Sequence, residues 1–366
     1  MRVRYTYLDR QYEKLRTELL DAIDSIFSRS AFILRAEVPA FERRIAKMLG
    51  VREAIGVNSG TDALNLGVRA LGFPVGSEII TVGHTFVSTI SAIVHAGLTP
   101  ILVDINDRDF NIDPDAVAAS VTPNTRAILV VHMNGRVCDM TAIERISRDH
   151  DLLVLEDAAQ AIGARFKGTA AGAFGKSAAF SLHPMKVLGC AGDGGFIATN
   201  DQNLAETLRA MRNLGQGEKG IHAYHAFNSR LDTIQAAICM VKMHHLHDWI
   251  DRRRLLAQRY DVALADFEGI VRPFSPNTGN HFDVYSSYVI RSLKRDELGA
   301  HLEAHGVETM VAWSLPIHRQ DGLGLERFSL PVTDRISHEV LSLPIDPEMS
   351  DDEQDHVVES IRQFNW

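Results

Sequence analysis

Five short apolar runs, most of them separated by helical patterns, constrain this chain more than any other feature. They are Glu78–Val82, Ile101–Ile105, Ala127–His132, Leu152–Asp157 and Ala178–Leu182. Each is too short for an ordinary helix and reads as a buried strand. Ser88-Thr89-Ile90-Ser91-Ala92-Ile93-Val94 leads into Ile101 through Gly97 and Pro100, and the helical spacing of Thr141–Ile146 precedes the Leu152 run. Alternation of this kind predicts an α/β domain built on a mostly parallel sheet flanked by helices. Such sheets bind ligands beyond the carboxyl ends of their strands. His132 and Asp157 stand at two of those ends.

The texture changes near residue 240. A long charged helix is expected from about Asp232 to Phe267, carrying Arg252-Arg253-Arg254. A loop rich in Pro, Asn and Gly follows at Pro273–Asn280, then a strand at Asp283–Ile290 and a helix from about Arg295. With 366 residues the chain is long enough for two domains. The expected division is a large domain over 1–250 and a small α+β domain over 251–366. No internal repeat or low-complexity stretch interrupts either.

The chemistry concentrates on an acid and a lysine. Asp157 closes the Leu152 run within Glu156-Asp157-Ala158-Ala159-Gln160, and Lys186 follows 29 positions later, after Ser181-Leu182-His183-Pro184-Met185. A glycine-rich stretch, Gly189–Gly195, comes next. This pairing suits pyridoxal 5′-phosphate (PLP). A lysine amine forms a Schiff base with the cofactor aldehyde, and an acid holds the pyridine nitrogen protonated so that the ring draws off electrons. A lone lysine is far more often solvated than catalytic, so the pair carries the argument.

Asn58-Ser59-Gly60-Thr61-Asp62-Ala63-Leu64 opens an amphipathic helix. Its first free N–H groups make an anion site suited to a phosphate, although Ser59 or Thr61 also serves as a plain N-cap. Phe86 is either a ring that stacks on a planar cofactor or a core phenylalanine. Asn228, before the long helix, is either a phosphate donor or a cap. His244-His245-Leu246-His247 lacks a Cys or carboxylate at matching spacing and reads as a polar helix face, so no metal is expected. There is no H-E-x-x-H, no P-loop and no G-x-G-x-x-G after a strand. The Gly168–Gly175 stretch has the wrong spacing for a dinucleotide, and no G-x-S-x-G elbow is present.

A net charge of −9 argues against a nucleic-acid surface. Three cysteines, Cys138, Cys190 and Cys239, cannot all pair within one chain, which fits a reducing cytoplasm. Met1–Tyr7 holds no apolar signal core. No apolar run approaches the ~20 residues that span a membrane.

Together these segments resemble the DegT/DnrJ/EryC1/StrS family of PLP-dependent sugar aminotransferases. The resemblance runs over nearly the whole chain: Val38–Gly50, Ser59–Leu64, Phe110–Pro114, Glu156–Gln160, Ser181–Lys186, Gly192–Gly195, Asn228–Asp232, Pro316–His318 and Leu341–Pro344. It implies the fold-type I aminotransferase architecture and a homodimer with shared active sites. It implies Lys186 as the Schiff-base lysine, Asp157 as the pyridinium partner, and Gln160 at the ring's phenolic oxygen or neighbouring face. Gly60, Thr61 and Ser181 would hold the phosphate, Phe86 would stack on the ring, and Asn228 would reach the other subunit's cofactor.

The implied reaction is a two-stage transamination. Glutamate is the expected donor, pyridoxamine 5′-phosphate the intermediate cofactor form, and a nucleotide-linked keto-deoxyhexose the acceptor. His183, Trp313 and His318 are expected on the substrate side. Departures from the common family pattern at Asn134, Ser286-Ser287 and Ala312-Trp313 fall on that side too. Asp62 favours amination at C3 of the hexose over C4. Two alternatives are a sugar dehydratase of the same family and a non-enzymatic regulator. Dehydratase members carry histidine in place of the lysine, whereas this chain has Lys186.

Overall fold

The computed structural model describes residues 1–218, 220–274 and 279–366. Of the expected loop Pro273–Asn280, residues 275–278 lie outside the described part. The chain begins with helices α1 (Leu8–Ser28) and α2 (Glu37–Leu49). In α2, Val38, Phe41, Ile45 and Leu49 recur at three- and four-residue intervals and bury one face. Gly50 ends the helix at φ 73°, a left-handed conformation that glycine adopts without a Cβ penalty.

Seven strands form the main sheet: β1 (Glu53–Val57), β2 (Glu78–Val82), β3 (Thr99–Val103), β4 (Thr125–Val131), β5 (Leu153–Asp157), β6 (Ser177–Ser181) and β7 (Gly195–Thr199). Their order is β1-β7-β6-β5-β4-β2-β3. The pairs from β3 through β6 are parallel, while β7 runs antiparallel to both β6 and β1. Helices α3 (Gly60–Arg69), α4 (Val87–His95), α5 (Pro114–Ala119), α6 (Met140–Asp149) and α7 (Gln202–Met211) follow strands or connect them. Both faces of the sheet are covered. Ile80, Val82, Ile128, Val130 and Val154 join one apolar cluster, and their neighbours Ile79, Ala127, Leu129 and Leu155 join another. That alternation is the two-residue period of a strand, and the doubly apolar runs are what a parallel sheet buried on both sides requires.

Strands β1 and β7 were not expected from the sequence. Both mix small residues with large ones, Ala54 and Gly56 beside Ile55 and Val57, and Gly195 and Ala198 beside Phe196 and Ile197. Gly56 interrupts β1 because a Cβ there would sit 3.1 Å from Leu231 Cβ and 3.6 Å from Glu42 Oε1. Such glycines mark close approach and blur the apolar signal. The expected helix Asp232–Phe267 is two helices, α8 (Thr233–Lys242) and α9 (Leu246–Ala263). The break falls on His244 and His245, whose N–H groups bond three residues back, to Val241 O and Lys242 O. The tighter turn re-aims the chain. Leu246 and Ile250 then pack into the main core, and Leu256, Ala257 and Tyr260 into a separate cluster.

That second cluster gathers helices α10 (Arg295–Ala304) and α12 (Asp351–Arg362) and the antiparallel pair β8 (Tyr288–Arg291) and β9 (Val340–Leu343). The expected strand Asp283–Ile290 is shorter than its apolar pattern. The residues before it instead bond to the turn that follows β4, where Val284 N donates to Gly135 O and Ser286 N to Asn134 O. Helix α11 (Pro331–Glu339) is pinned across from the end of β3 by Asp104, whose carboxylate accepts from Val332 N and from the Thr333 N–H and hydroxyl at 2.7–2.8 Å. No helix among the described residues is long and apolar enough to cross a membrane.

Candidate active site

The carboxyl ends of β1, β2, β4, β5 and β6 share one edge of the sheet, and β7, being antiparallel, begins there. The residues picked out by sequence meet along that edge. Ser59 caps α3 by accepting from Asp62 N at 3.0 Å. The N–H groups of Gly60 and Thr61 have no protein acceptor among the described residues. Gly60 is pressed against Ser181: a Cβ on it would lie 2.7 Å from the serine Cβ and 3.1 Å from its Oγ. Capping and anion binding are thus compatible here, since the cap uses one donor and leaves two. Thr61 Oγ1 is hydrogen-bonded to Ser88 Oγ at 2.7 Å, which ties this turn to the start of α4.

Asp157 is buried at the end of β5. Thr89 Oγ1 donates to its Oδ2 at 2.7 Å and Ala159 N to its Oδ1 at 3.2 Å. Burial raises its pKa, opposed by the Thr89 and Ala159 hydrogen bonds and by the charges of Lys186 and His132. Beside it, Glu156 accepts from His132 Nε2 at 2.9 Å and from Gly172 N, Phe174 N and Gly175 N at 2.6–2.9 Å. His132 Nδ1 accepts from Cys138 N. That fixes the proton on Nε2 and makes the imidazole a spacer between strand ends.

Lys186 follows β6 in a tight loop. Gly189 permits the loop, because a Cβ there would sit 2.5 Å from Pro184 O and 2.8 Å from His183 O. The Lys186 amine has no hydrogen bond or ion pair among the described residues, and burial lowers its pKa while Asp157 raises it. A half-buried amine without a partner, facing a buried carboxylate, is a costly arrangement in a merely structural role. It projects into a cavity of about 300 Å³ lined by Phe86, Gln160, His183, Trp313 and Arg253 among others. The Phe86 and Trp313 rings lie 5.8 Å apart across it. Phe86 is 55% exposed, so it is not a core ring. Gln160 Oε1 accepts from Asn134 N at 3.0 Å.

Two expected residues stand apart. His318 does not line the cavity: it is fully buried, with Nε2 3.0 Å from Asp334 Oδ1. Asn228 is exposed and outside the cavity of its own chain. The structure also shows residues that the sequence reading passed over. Thr89 was hidden inside a helical pattern, although its spacing three residues after Phe86 puts both at the start of α4. Arg253 lies within the charged run Arg252-Arg253-Arg254 of α9. Its Nη1 donates to Tyr285 O and Ile345 O, it is buried, and nothing in the sequence separates it from Arg252 and Arg254.

The profile of the DegT/DnrJ/EryC1/StrS aminotransferase family matches residues 13–362. A relative from Geobacillus stearothermophilus named "Pleiotropic regulatory protein" is 41% identical over 360 residues, covering 98% of this chain and 97% of that one. The dTDP-3-amino-3,4,6-trideoxy-alpha-D-glucose transaminase of Streptomyces venezuelae is 38% identical, over 99% and 96% of the two chains. Among solved structures, that of S. venezuelae DesV in complex with a ketimine intermediate superposes with a TM-score of 0.96 at 38% identity, over 99% of this chain and 98% of the other.

Proposed function

The chain belongs to the DegT/DnrJ/EryC1/StrS aminotransferase family, and we propose that it moves an amino group from glutamate to a nucleotide-linked keto-deoxyhexose at Lys186. It is a sugar aminotransferase with the fold-type I architecture. The observation that carries the reading of the site is the partnerless Lys186 amine facing the buried Asp157 carboxylate. Those two groups, with the unpaired N–H donors of Gly60 and Thr61, fit PLP: an amine for its aldehyde, an acid for its ring nitrogen and donors for its phosphate.

Bound there, PLP supplies an aldehyde for amine exchange and a protonated ring that accepts the electrons left when a carbon–hydrogen bond breaks. Asp157, kept in place by Thr89 and Ala159, would supply the negative charge for the ring nitrogen. Gly60, Thr61 and Ser181 would hold the phosphate, Phe86 would stack on the ring, and Gln160 would contact its oxygen or neighbouring face. The Lys186 amine, favoured in its neutral form by burial, takes the proton from the donor's α-carbon and returns it one position away. In the second stage it works in the reverse sense on the keto sugar. His183 and Trp313 line the substrate side, while His318 is held by Asp334 outside the cavity lining.

The nucleotide-linked acceptor is supported by the S. venezuelae transaminase, named for a dTDP sugar carrying its amine at C3. Asp62 accepts from Ser229 Oγ at 2.7 Å, close to the proposed phosphate cup. A dimer with shared sites is supported by exposed Asn228 and by exposed Phe86, Met185 and Phe227. The split into domains at residue 250 is supported by the core boundary between Ile250 and Leu256, although Val3 and Tyr7 of the first segment pack into the second cluster. Three unpaired cysteines fit the cytoplasm. A purely regulatory role, as in the name of the G. stearothermophilus relative, would leave the Lys186–Asp157 pair without a purpose.

The test is transfer of ¹⁵N from labelled glutamate to a panel of keto sugar nucleotides. The wild type should yield a labelled amino sugar and Lys186→Ala none. Absence of transfer to every member, or equal transfer by Lys186→Ala, contradicts the proposal.

A further inference from the structure

Behind the Thr89 that holds Asp157 stands a second threonine, Thr85, which has no role in the chemistry described so far. Thr85 and Thr89 are 3% and 0% exposed, so water does not serve their hydroxyls. Thr85 Oγ1 is 2.7 Å from Thr89 Oγ1, and Thr89 Oγ1 is 2.7 Å from Asp157 Oδ2. The direction of this chain is fixed by chemistry. An ionised carboxylate only accepts, so Thr89 donates to Asp157. A hydroxyl has one proton, so Thr89 must accept from Thr85. Each bond polarises the next, which strengthens the pair as donors to a negative charge.

We propose that Thr85 and Thr89 form a hydroxyl relay that holds Asp157 ionised and oriented, and so sets how tightly it grips the ring nitrogen of a bound pyridine cofactor. The inference rests on the PLP reading of Lys186 and deepens it. The need for such a device follows from the surroundings. Asp157 is buried, which favours its neutral form. The charged or titratable groups facing it are Lys186 from the loop after β6 and His132 from the end of β4. Lys186 cannot be a constant counter-charge, because burial lowers its own pKa and it exchanges its proton in the reaction. His132 has both ring nitrogens engaged elsewhere, Nε2 with Glu156 and Nδ1 with Cys138 N, and makes no hydrogen bond to Asp157. The hydrogen bonds of Thr89 and Ala159 N are therefore the steady contributions. The same first turn of α4 carries Ser88, bonded to Thr61, so one helix start braces both ends of the site.

Thr85 and Thr89 are positioning residues, and the test reads cofactor affinity rather than turnover. Full-length protein stripped of cofactor is titrated with PLP and with its 1-deaza analogue, in which carbon replaces the ring nitrogen. The wild type should prefer PLP. Thr89→Val should weaken PLP about 10-fold or more, the scale of one hydrogen bond to a charge, and leave the analogue within about 2-fold. Thr89→Ser should stay within about 3-fold of wild type for PLP. Thr85→Val, which does not touch Asp157, should weaken PLP about 3-fold, and the double Val variant should be no weaker than Thr89→Val alone, because links in series do not add. Equal weakening of PLP and analogue by Thr89→Val, or multiplying losses in the double variant, overturns the relay. If Thr89→Val does not fold, an unchanged PLP preference in Thr85→Val does the same. A wild type that binds no PLP overturns the cofactor reading itself, and the relay with it.

Discussion

Gly60 and Ser181 approach so closely that a β-carbon on the glycine would lie 2.7 Å from that of the serine. The contact joins the first turn of α3 to the carboxyl end of β6, and it leaves no room for any side chain at position 60. Gly60→Ala must push these two elements apart. Overpacking of this kind costs about 1–3 kcal/mol. The expected result is a modest drop in thermal midpoint and a loss of PLP affinity of about 10-fold or more, since the phosphate donors sit on the displaced turn. Equilibrium titration of cofactor-free protein checks it.

Asp157→Asn should keep the cofactor but lose most of the rate. An amide matches the carboxylate in shape and carries no charge for the ring nitrogen. If about 3 kcal/mol of that interaction appears in the barrier, turnover falls on the order of 10²-fold. Steady-state kinetics beside the visible spectrum separate lost rate from lost cofactor.

Much of this site was legible in the sequence because its residues occupy the ends of strongly patterned strands. Asp157 and Ser181 close β5 and β6, and Thr85-Phe86 follow β2. Strand termini are where the chain leaves the sheet, so a polar residue there stands out against an apolar run. Residues within helices do not stand out. Thr89 and Arg253 owe their importance to what lies across from them, Asp157 in one case and the carbonyls of Tyr285 and Ile345 in the other. No local pattern encodes such long-range partners. For the same reason β1 and β7 escaped notice: their register with each other, Glu53 against Thr199 through Val57 against Gly195, is a tertiary fact. The break between α8 and α9 was hidden because its three residues carry no Gly or Pro.

The pH dependence of stability should carry a signature from His84. It is buried at the end of β2, and burial lowers its pKa to about 4, against a smaller raising effect from Asp104. A histidine whose folded pKa lies below the unfolded value of about 6.5 binds fewer protons in the folded state. Stability is then full above pH 6.5 and is lost as pH falls from 6.5 toward 4. The shift corresponds to a few kcal/mol at most, on the order of 3. Unfolding midpoints in urea measured from pH 7.5 to 4.5 should fall less steeply for His84→Gln than for the wild type. Parallel curves would remove His84 as the source.

Shared sites predict complementation. Lys186→Ala and Asn228→Asp should each be inactive alone. Mixed and allowed to exchange subunits, they should regain activity, because one site in the mixed dimer carries both an intact Lys186 and the partner chain's intact asparagine. Recovery of up to about a quarter of wild-type sites is the ceiling for random exchange between equal amounts of closed dimers. No recovery despite exchange demonstrated by mass spectrometry contradicts a site shared in this way.

The central claim is that Lys186 is the residue through which this enzyme works, and borohydride trapping tests it most directly. The protein loaded with PLP is reduced, digested and sequenced by mass spectrometry. The account predicts a single pyridoxyl-labelled peptide with the label on Lys186, and no such peptide from Lys186→Ala. A label on any other lysine, or an undiminished label in the variant, would contradict it.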